Sequence, residues 1–211
     1  MTSRGSASWR AARFAAVDVE TTGLDPRRDE IISFAAVPVE RGRVASGRGV
    51  SGLVRPRVSP PAESIEIHGL RALDLQAARP APEALAPLAA VLRAAIPVAH
   101  AAWVERAFLA PPLARLGAPL SRKIVDTAVL WRLLCLDRGE QDPGWCSLGA
   151  VAGALGLPSH RPHEAEGDAL TTAQVFLALA THLERHGRST PAALTAAHRR
   201  VRGWELWHPP A

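Results

Sequence analysis

After a short polar, arginine-bearing opening, the chain enters an apolar run broken only by two acids. Phe14 to Val19 predicts buried β-structure, and the strand extends over Arg13 to Glu20. Ile31 to Val39 and Arg48 to Val54 continue in the same way, joined by turns at Leu24-Asp25-Pro26-Arg27 and around Arg41-Gly42-Arg43. Short turns between successive strands predict an antiparallel meander, which Pro56, Pro60 and Pro61 end. The pattern then becomes helical. Ser64 to His68 predicts a short helix, and Pro82 to Ala95 a longer one with Leu85, Leu88, Ala89 and Leu92 at helical spacing. Ile96 to Ala99 reads as a short buried strand, Trp103 to Leu116 as a helix, Lys123 to Val125 as another strand, and Asp126 to Leu136 as a helix. Ser147 caps a helix over Leu148 to Leu155 that Gly156 stops. The clearest stripe, Leu170, Ala173, Leu177, Ala180 and Leu183, predicts a helix over Asp168 to Arg185. Strands first and β-α alternation afterwards imply an α/β fold, a mixed five-stranded sheet with an antiparallel three-strand meander and helices packed on it.

The two acids within the first strand change this picture. Side chains alternate between the faces of a strand, so Asp18 and Glu20 project from one face, side by side. Two carboxylates crowded on a buried face repel and lose hydration, a costly arrangement unless a cation lies between them. Thr21-Thr22-Gly23 breaks the strand and puts the pair at its carboxyl end, where α/β sheets carry their sites. The competing reading keeps Val17 and Val19 inward and both acids in water. The pair alone does not separate the two.

Composition narrows the class. The 211 residues suit one α/β domain with appendages: a disordered tail over 1–11, a domain over 12–186, and a segment over 187–211 docking through Trp204 and Trp207. Hydrophobic content of 47% with no apolar run near the roughly 20 residues of a membrane span implies no membrane partner. The amino-terminal arginines lead into no signal-like apolar stretch, so a cytoplasmic location is expected. The formal charge is +5, and every basic residue except Lys123 is arginine, whose guanidinium grips phosphate in two-pronged fashion. A basic surface around an acidic motif attracts an anion globally and a metal locally. Cys135 and Cys146 are too few and too far apart for a zinc ribbon or a disulfide framework.

Four further segments join the acid pair: Ile67-His68-Gly69, the stretch from Val98 to Leu109, Asp126-Thr127, and His163-Glu164-Ala165-Glu166-Gly167-Asp168. With Asp18-Val19-Glu20-Thr21-Thr22-Gly23-Leu24 as a first motif, Val98 to Leu109 as a second and His163 to Asp168 as a third, the chain resembles the DEDDh 3′→5′ exonucleases. That group includes the proofreading epsilon subunit of DNA polymerase III, ribonuclease T and oligoribonuclease. The likeness covers roughly Arg13 to Arg185. It implies a ribonuclease-H-like fold and metal-dependent hydrolysis of phosphodiesters from the 3′ end of single-stranded DNA or RNA.

By that resemblance Asp18, Glu20, Glu105 and Asp168 would bind two Mg²⁺ or Mn²⁺ ions, and His163 would take a proton from the attacking water. Thr21, Thr22, Leu24 and His68 would meet the terminal nucleotide. Imidazole titrates near neutrality, which suits a general base, and an all-carboxylate set suits magnesium. Two departures stand out in the second motif: Glu105 replaces the family's aspartate and Ala101 its asparagine. Glutamate keeps the charge and adds a methylene. Activity is therefore expected to persist with weaker metal binding, and a non-catalytic nucleic-acid- or polymerase-binding module is the alternative. Trp103 is either a base-stacking platform or core, Asp126 a helix N-cap, and Glu164 and Glu166 solvated acids. Homodimerisation and a proofreading association with a DNA polymerase both stay open.

Overall fold

The computed structural model describes residues 7–201 of the chain. Its sheet is built from β1 (Arg13–Thr21), β2 (Ile31–Glu40), β3 (Arg43–Val44), β4 (Val50–Arg55), β5 (Arg79–Pro80), β6 (Ile96–Ala99) and β7 (Val125–Asp126). The order is β5-β4-β2-β1-β6-β7, with β3 pairing on β2. The expected meander is β1, β2 and β4, all antiparallel, while β6 and β7 add parallel strands on the other side of β1. Two short strands, β3 and β5, bring the count to seven. Each is only two residues long, too short for a periodicity signal to register.

The helices are α1 (Ala62–His68), α2 (Ala72–Leu75), α3 (Ala81–Ala84), α4 (Ala86–Arg93), α5 (Trp103–Arg115), α6 (Thr127–Asp137), α7 (Leu148–Ala154), α8 (Ala165–Arg185) and α9 (Pro191–Thr195). The single helix expected over Pro82 to Ala95 is two, parted at Leu85, and Pro87 sits in the first turn of the second. Proline lacks the N–H needed inside a helix and its ring crowds the carbonyl four residues back, so the chain restarts there. Helix α8 begins three residues before Asp168, with Glu164 at its N-cap position.

β1 is buried on both faces, and this settles the competition between the two readings of its acids. Ala15, Val17 and Val19 pack into one core with Leu88 of α4 and Leu109 and Leu113 of α5. Phe14 and Ala16 point to the opposite core, with Leu130 and Leu134 of α6 and Val175, Phe176 and Leu179 of α8. The valines are inward as the second reading held. The acids nevertheless leave from a face that is itself covered, the one shared with Phe14 and Ala16.

The amino-terminal tail expected over 1–11 is ordered at its end. Trp9 to Ala11 form a 3₁₀ turn, Ser8 accepts from the Arg10 N–H, and the Trp9 N–H donates to the Ser189 carbonyl at 2.8 Å. Trp9 is 1% exposed, edge-on to Phe176 at 6.0 Å between ring centres, with the Arg10 guanidinium 4.4 Å from its ring centre. One tryptophan among polar neighbours gives no periodic signal, so only packing reveals its burial. On the carboxyl side Leu194, Ala197 and Val201 enter the same core. Trp204 and Trp207 lie outside the described residues. Among those described, no helix is long and apolar enough to cross a membrane.

Trp9→Ala should therefore cost about 3–5 kcal/mol, as truncation of a large core aromatic does. A urea unfolding midpoint unchanged from that of the parent would show that the indole contributes no packing.

Candidate active site

The carboxyl end of β1 is held by a clasp built around Asp29. The Thr22 hydroxyl donates to Asp29 Oδ1 (3.0 Å) and accepts from the Glu30 N–H (3.0 Å), while Asp25 N–H donates to Asp29 Oδ2 (2.9 Å). Gly23 lies so close to this carboxylate that a Cβ there would sit 2.4 Å from Asp29 Oδ2. The ladder with β2 slips just after Glu20, between Glu20 and Thr21, a bulge of the kind that re-aims side chains at strand ends. Thr21 turns its hydroxyl back to the Gly23 carbonyl at 2.6 Å, and Leu24 is left 57% exposed at the rim.

Helix α8 crosses the covered face of β1 and supplies Asp168 in its first turn. Asp18, Glu20 and Asp168 each offer a carboxylate oxygen, and these oxygens lie within 4.8 Å of one another. The loop ahead of the helix is pressed onto it at Gly167. A Cβ there would meet the His160 carbonyl at 2.1 Å and the Arg161 carbonyl at 2.5 Å, so no side chain fits. This close approach carries His163, which has φ +62° and donates its N–H to Asp168 Oδ2 at 2.8 Å. His160 is structural, with its N–H on the Thr171 hydroxyl and its Nε2 against Gln174 Oε1 at 3.1 Å. Glu164 and Glu166 are exposed and pair with Arg161, at 2.8 and 3.4 Å. They are the solvated acids the sequence suggests.

Glu105 approaches from the other layer, in the first turn of α5. It is 3% exposed, and its Oε2 is buried without a hydrogen-bond partner. It stands outside the three-acid cluster but close enough to act on Asp18 electrostatically. The turn ahead of it is clamped by Asp126, which accepts from Ala101 N–H (3.3 Å) and Ala102 N–H (2.9 Å) as well as from Ala128 and Val129 at the start of α6. Asp126 is thus the N-cap expected of it, and also the tie that sets the approach of Glu105. Ala101 holds φ +62°, the left-handed conformation that asparagine tolerates better than alanine.

Electrostatics at this cluster is unrelieved. Burial, then the charges of Glu105, Glu20 and Asp168, hold the Asp18 carboxyl well above the ordinary range. Burial and Asp168 push Glu20 up to about 8. Glu105 is also raised well above its usual value, by burial and then by Asp126 and Glu20. Asp168 is raised by burial, against the lowering effect of the His163 backbone and ring. An oxygen-only donor set with frustrated ionisation matches a hard divalent cation, which would relieve both the repulsion and the orphaned Glu105 oxygen.

A cleft beside the acids is lined by Glu20, Ser33, Gly52, His68, Leu70 and His163. His68 Nδ1 accepts the Leu70 N–H at 3.0 Å, which leaves the proton of the neutral ring on Nε2, buried and without a partner. Burial lowers its pKa, favouring that neutral form. Trp103 does not line this cleft; it is half-buried on a separate cavity. Neither the clasp at Asp29 nor the close contact at Gly167 shows in the motif pattern. A glycine in the first turn of an otherwise strong helix was the available signal for the second.

The family model described as Exonuclease matches residues 15–176. The DNA polymerase III PolC-type of Thermotoga petrophila is 34% identical over 181 residues, which are 85% of this chain and 13% of that protein. The 3′-5′ exonuclease DinG of Bacillus subtilis is 29% identical over 177 residues, 82% of this chain and 18% of that protein. The chain thus spans less than a fifth of the length of either relative. Escherichia coli Exonuclease I in complex with a dT13 oligonucleotide superposes with a TM-score of 0.70 over 83% of this chain and 42% of its own, at 16% identity. At that identity the likeness speaks to the fold, which is ribonuclease-H-like.

Gly167→Ala should destabilise the chain by roughly 1–3 kcal/mol, since the backbone of the loop must move to admit a methyl. An unchanged melting temperature would show that the contact is slack. A second expectation concerns pH. Folding raises the acid-cluster pKa values, so the folded chain retains protons that the unfolded chain has released. Stability conferred by these groups is present on the acid side and falls as pH rises towards about 8. Buried His68 and half-buried His100, lowered from 6.5, act in the opposite sense below that value, so the clean window lies between 6.5 and 8. Without metal the melting temperature should drop across this window, and Mn²⁺ should raise it more at the alkaline end. An equal or absent manganese effect at both ends would count against a cation site.

Proposed function

The chain belongs to the exonuclease family, and from that premise we propose that it is a divalent-metal-dependent 3′→5′ exonuclease acting on single-stranded nucleic acid. The observation that carries the reading is the convergence of the Asp18, Glu20 and Asp168 oxygens from a strand and a helix, beside an exposed histidine and an open cleft. The 3′-5′ exonuclease DinG of Bacillus subtilis and the dT13 oligonucleotide held by Exonuclease I supply the direction and the strandedness of the proposal.

In this reading Asp18, Glu20 and Asp168 hold Mg²⁺ or Mn²⁺, with Glu105 facing Asp18 from the second layer. Bound there, such ions would lower the pKa of an attacking water and offset charge at the leaving 3′ oxygen. His163 removes a proton from the attacking water, and its backbone bond to Asp168 keeps it at the cluster. The turn at Thr21 and Thr22, with the exposed Leu24, receives the terminal nucleotide. His68 offers its Nε2 proton to an oxygen of that nucleotide, and its depressed pKa makes it a neutral donor rather than a competing cation. The raised acid pKa values have a use here, because metal binding is coupled to release of the protons they hold.

Glu105 and Ala101 favour a second reading, a nucleic-acid-binding module that no longer turns over. A 5′-labelled oligonucleotide incubated with and without EDTA separates the two. A metal-dependent ladder of shortened labelled products is expected, lost in Asp18→Asn and reduced roughly 10²–10⁴-fold in His163→Ala. Intact oligonucleotide under every metal condition would leave the binding module standing.

A further inference from the structure

Beside the acid cluster, on the same end of the sheet, lies a second cavity of about 370 Å³. Its position follows from strand register. β1, β6 and β7 are adjacent and parallel, and their register sets Asp126 level with Val17, the residue before Asp18, two inter-strand steps or about 10 Å across the sheet. The wall nearest the acids is the Ala101–Trp103 turn, the same turn that Asp126 clamps and that leads to Glu105. Ile124, Val129 and Leu194 contribute apolar surface.

Two indoles and two arginines give this cavity its chemistry. Trp103 and Trp145 both line it, and Trp145 is 42% exposed. Trp145 rests against His100, with ring centres 5.5 Å apart. His100 in turn is fixed at both nitrogens, by the Thr127 hydroxyl and the Cys146 carbonyl, each at 2.9 Å. The platform is therefore braced before any ligand arrives. Arg106 reaches the Arg122 carbonyl at 2.9 Å, which gathers two guanidinium-bearing residues at one rim, and Arg122 is exposed. Arg132 is already engaged, bidentate to Asp142 at 2.8 and 2.7 Å, and serves as wall.

We propose that this cavity receives a nucleobase of a single-stranded nucleic acid, upstream of the 3′ end held at the acid cluster, with adjacent phosphates on Arg106 and Arg122. An aromatic wall stacks on any base, and arginines at the rim track the backbone without reading sequence. The rim arginines Arg106 and Arg122 and the +5 charge of the chain favour a polyanion over an apolar protein segment as the occupant. The proposal rests on the exonuclease reading for its sense of direction. It extends the substrate contact from the terminal nucleotide to a second point about two strands away.

The test uses the full chain carrying Asp18→Asn, so that bound strands stay intact, and 5′-labelled oligonucleotides read by fluorescence anisotropy. Adding Trp145→Ala should weaken binding of a twelve-nucleotide strand roughly tenfold, and Trp145→Phe should restore most of it. Adding Arg122→Ala should make the dependence of log affinity on log salt shallower by about 0.7. In chains with the acids intact, neither change should alter hydrolysis of a dinucleotide, which is too short to reach the cavity. Unchanged twelve-mer affinity in both variants would overturn the proposal, and so would equal losses on the dinucleotide. Absence of hydrolysis by the parent chain would instead refute the exonuclease reading, while the anisotropy arms would still judge the cavity.

Discussion

Negative charge forced together where water is scarce is the constraint on which this structure turns. Three carboxylates share one small volume at the end of β1, and a fourth, Glu105, is buried against the first of them. Such an arrangement is unfavourable in isolation, and it persists because the scaffold leaves these side chains no alternative. β1 is covered on both faces, so its register cannot slip without burying acids among α8 apolar groups or exposing its valines.

The scaffold closes on the site from both layers. From one side α8 brings Asp168 and, through the contact at Gly167, the loop with His163. From the other, α5 brings Glu105 on a turn that Asp126 ties to the start of α6. Ala101 on one approach and His163 on the other, each a non-glycine residue, hold φ +62°. Strain of this kind is held only where surrounding bonds over-determine it, and both residues have their N–H groups bonded to carboxylates of this region. The backbone around the site is thus fixed by the same class of group that a cation would bind.

The glutamate in place of the family's aspartate acquires a physical setting here. Its longer arm does not bring it into the close cluster; it lies buried in the first turn of α5 and acts on Asp18 through charge. The alanine at 101 leaves the turn without a side-chain donor, yet Asp126 supplies the missing restraint through two backbone N–H groups. The two departures change what the motif offers locally, and the tie from β7 preserves the shape of the turn.

Much of the site was legible in the linear chain because its rules are short-ranged. Strand alternation alone places Asp18 and Glu20 together, a proline restricts where a helix can run, and an acid before a helix reads as its cap, as Asp126 does. Packing decided the remainder. Whether the face carrying the acids was wet or covered depended on α8, 150 residues further on, and the burial of Trp9 depended on Phe176. The near-contact at Gly167, the depth of Glu105 and the meeting of Trp103 with Trp145 in one cavity are equally products of tertiary structure. Backbone geometry fixes what neighbours in sequence can do. Which distant side chains lose their water together is determined only when the layers close.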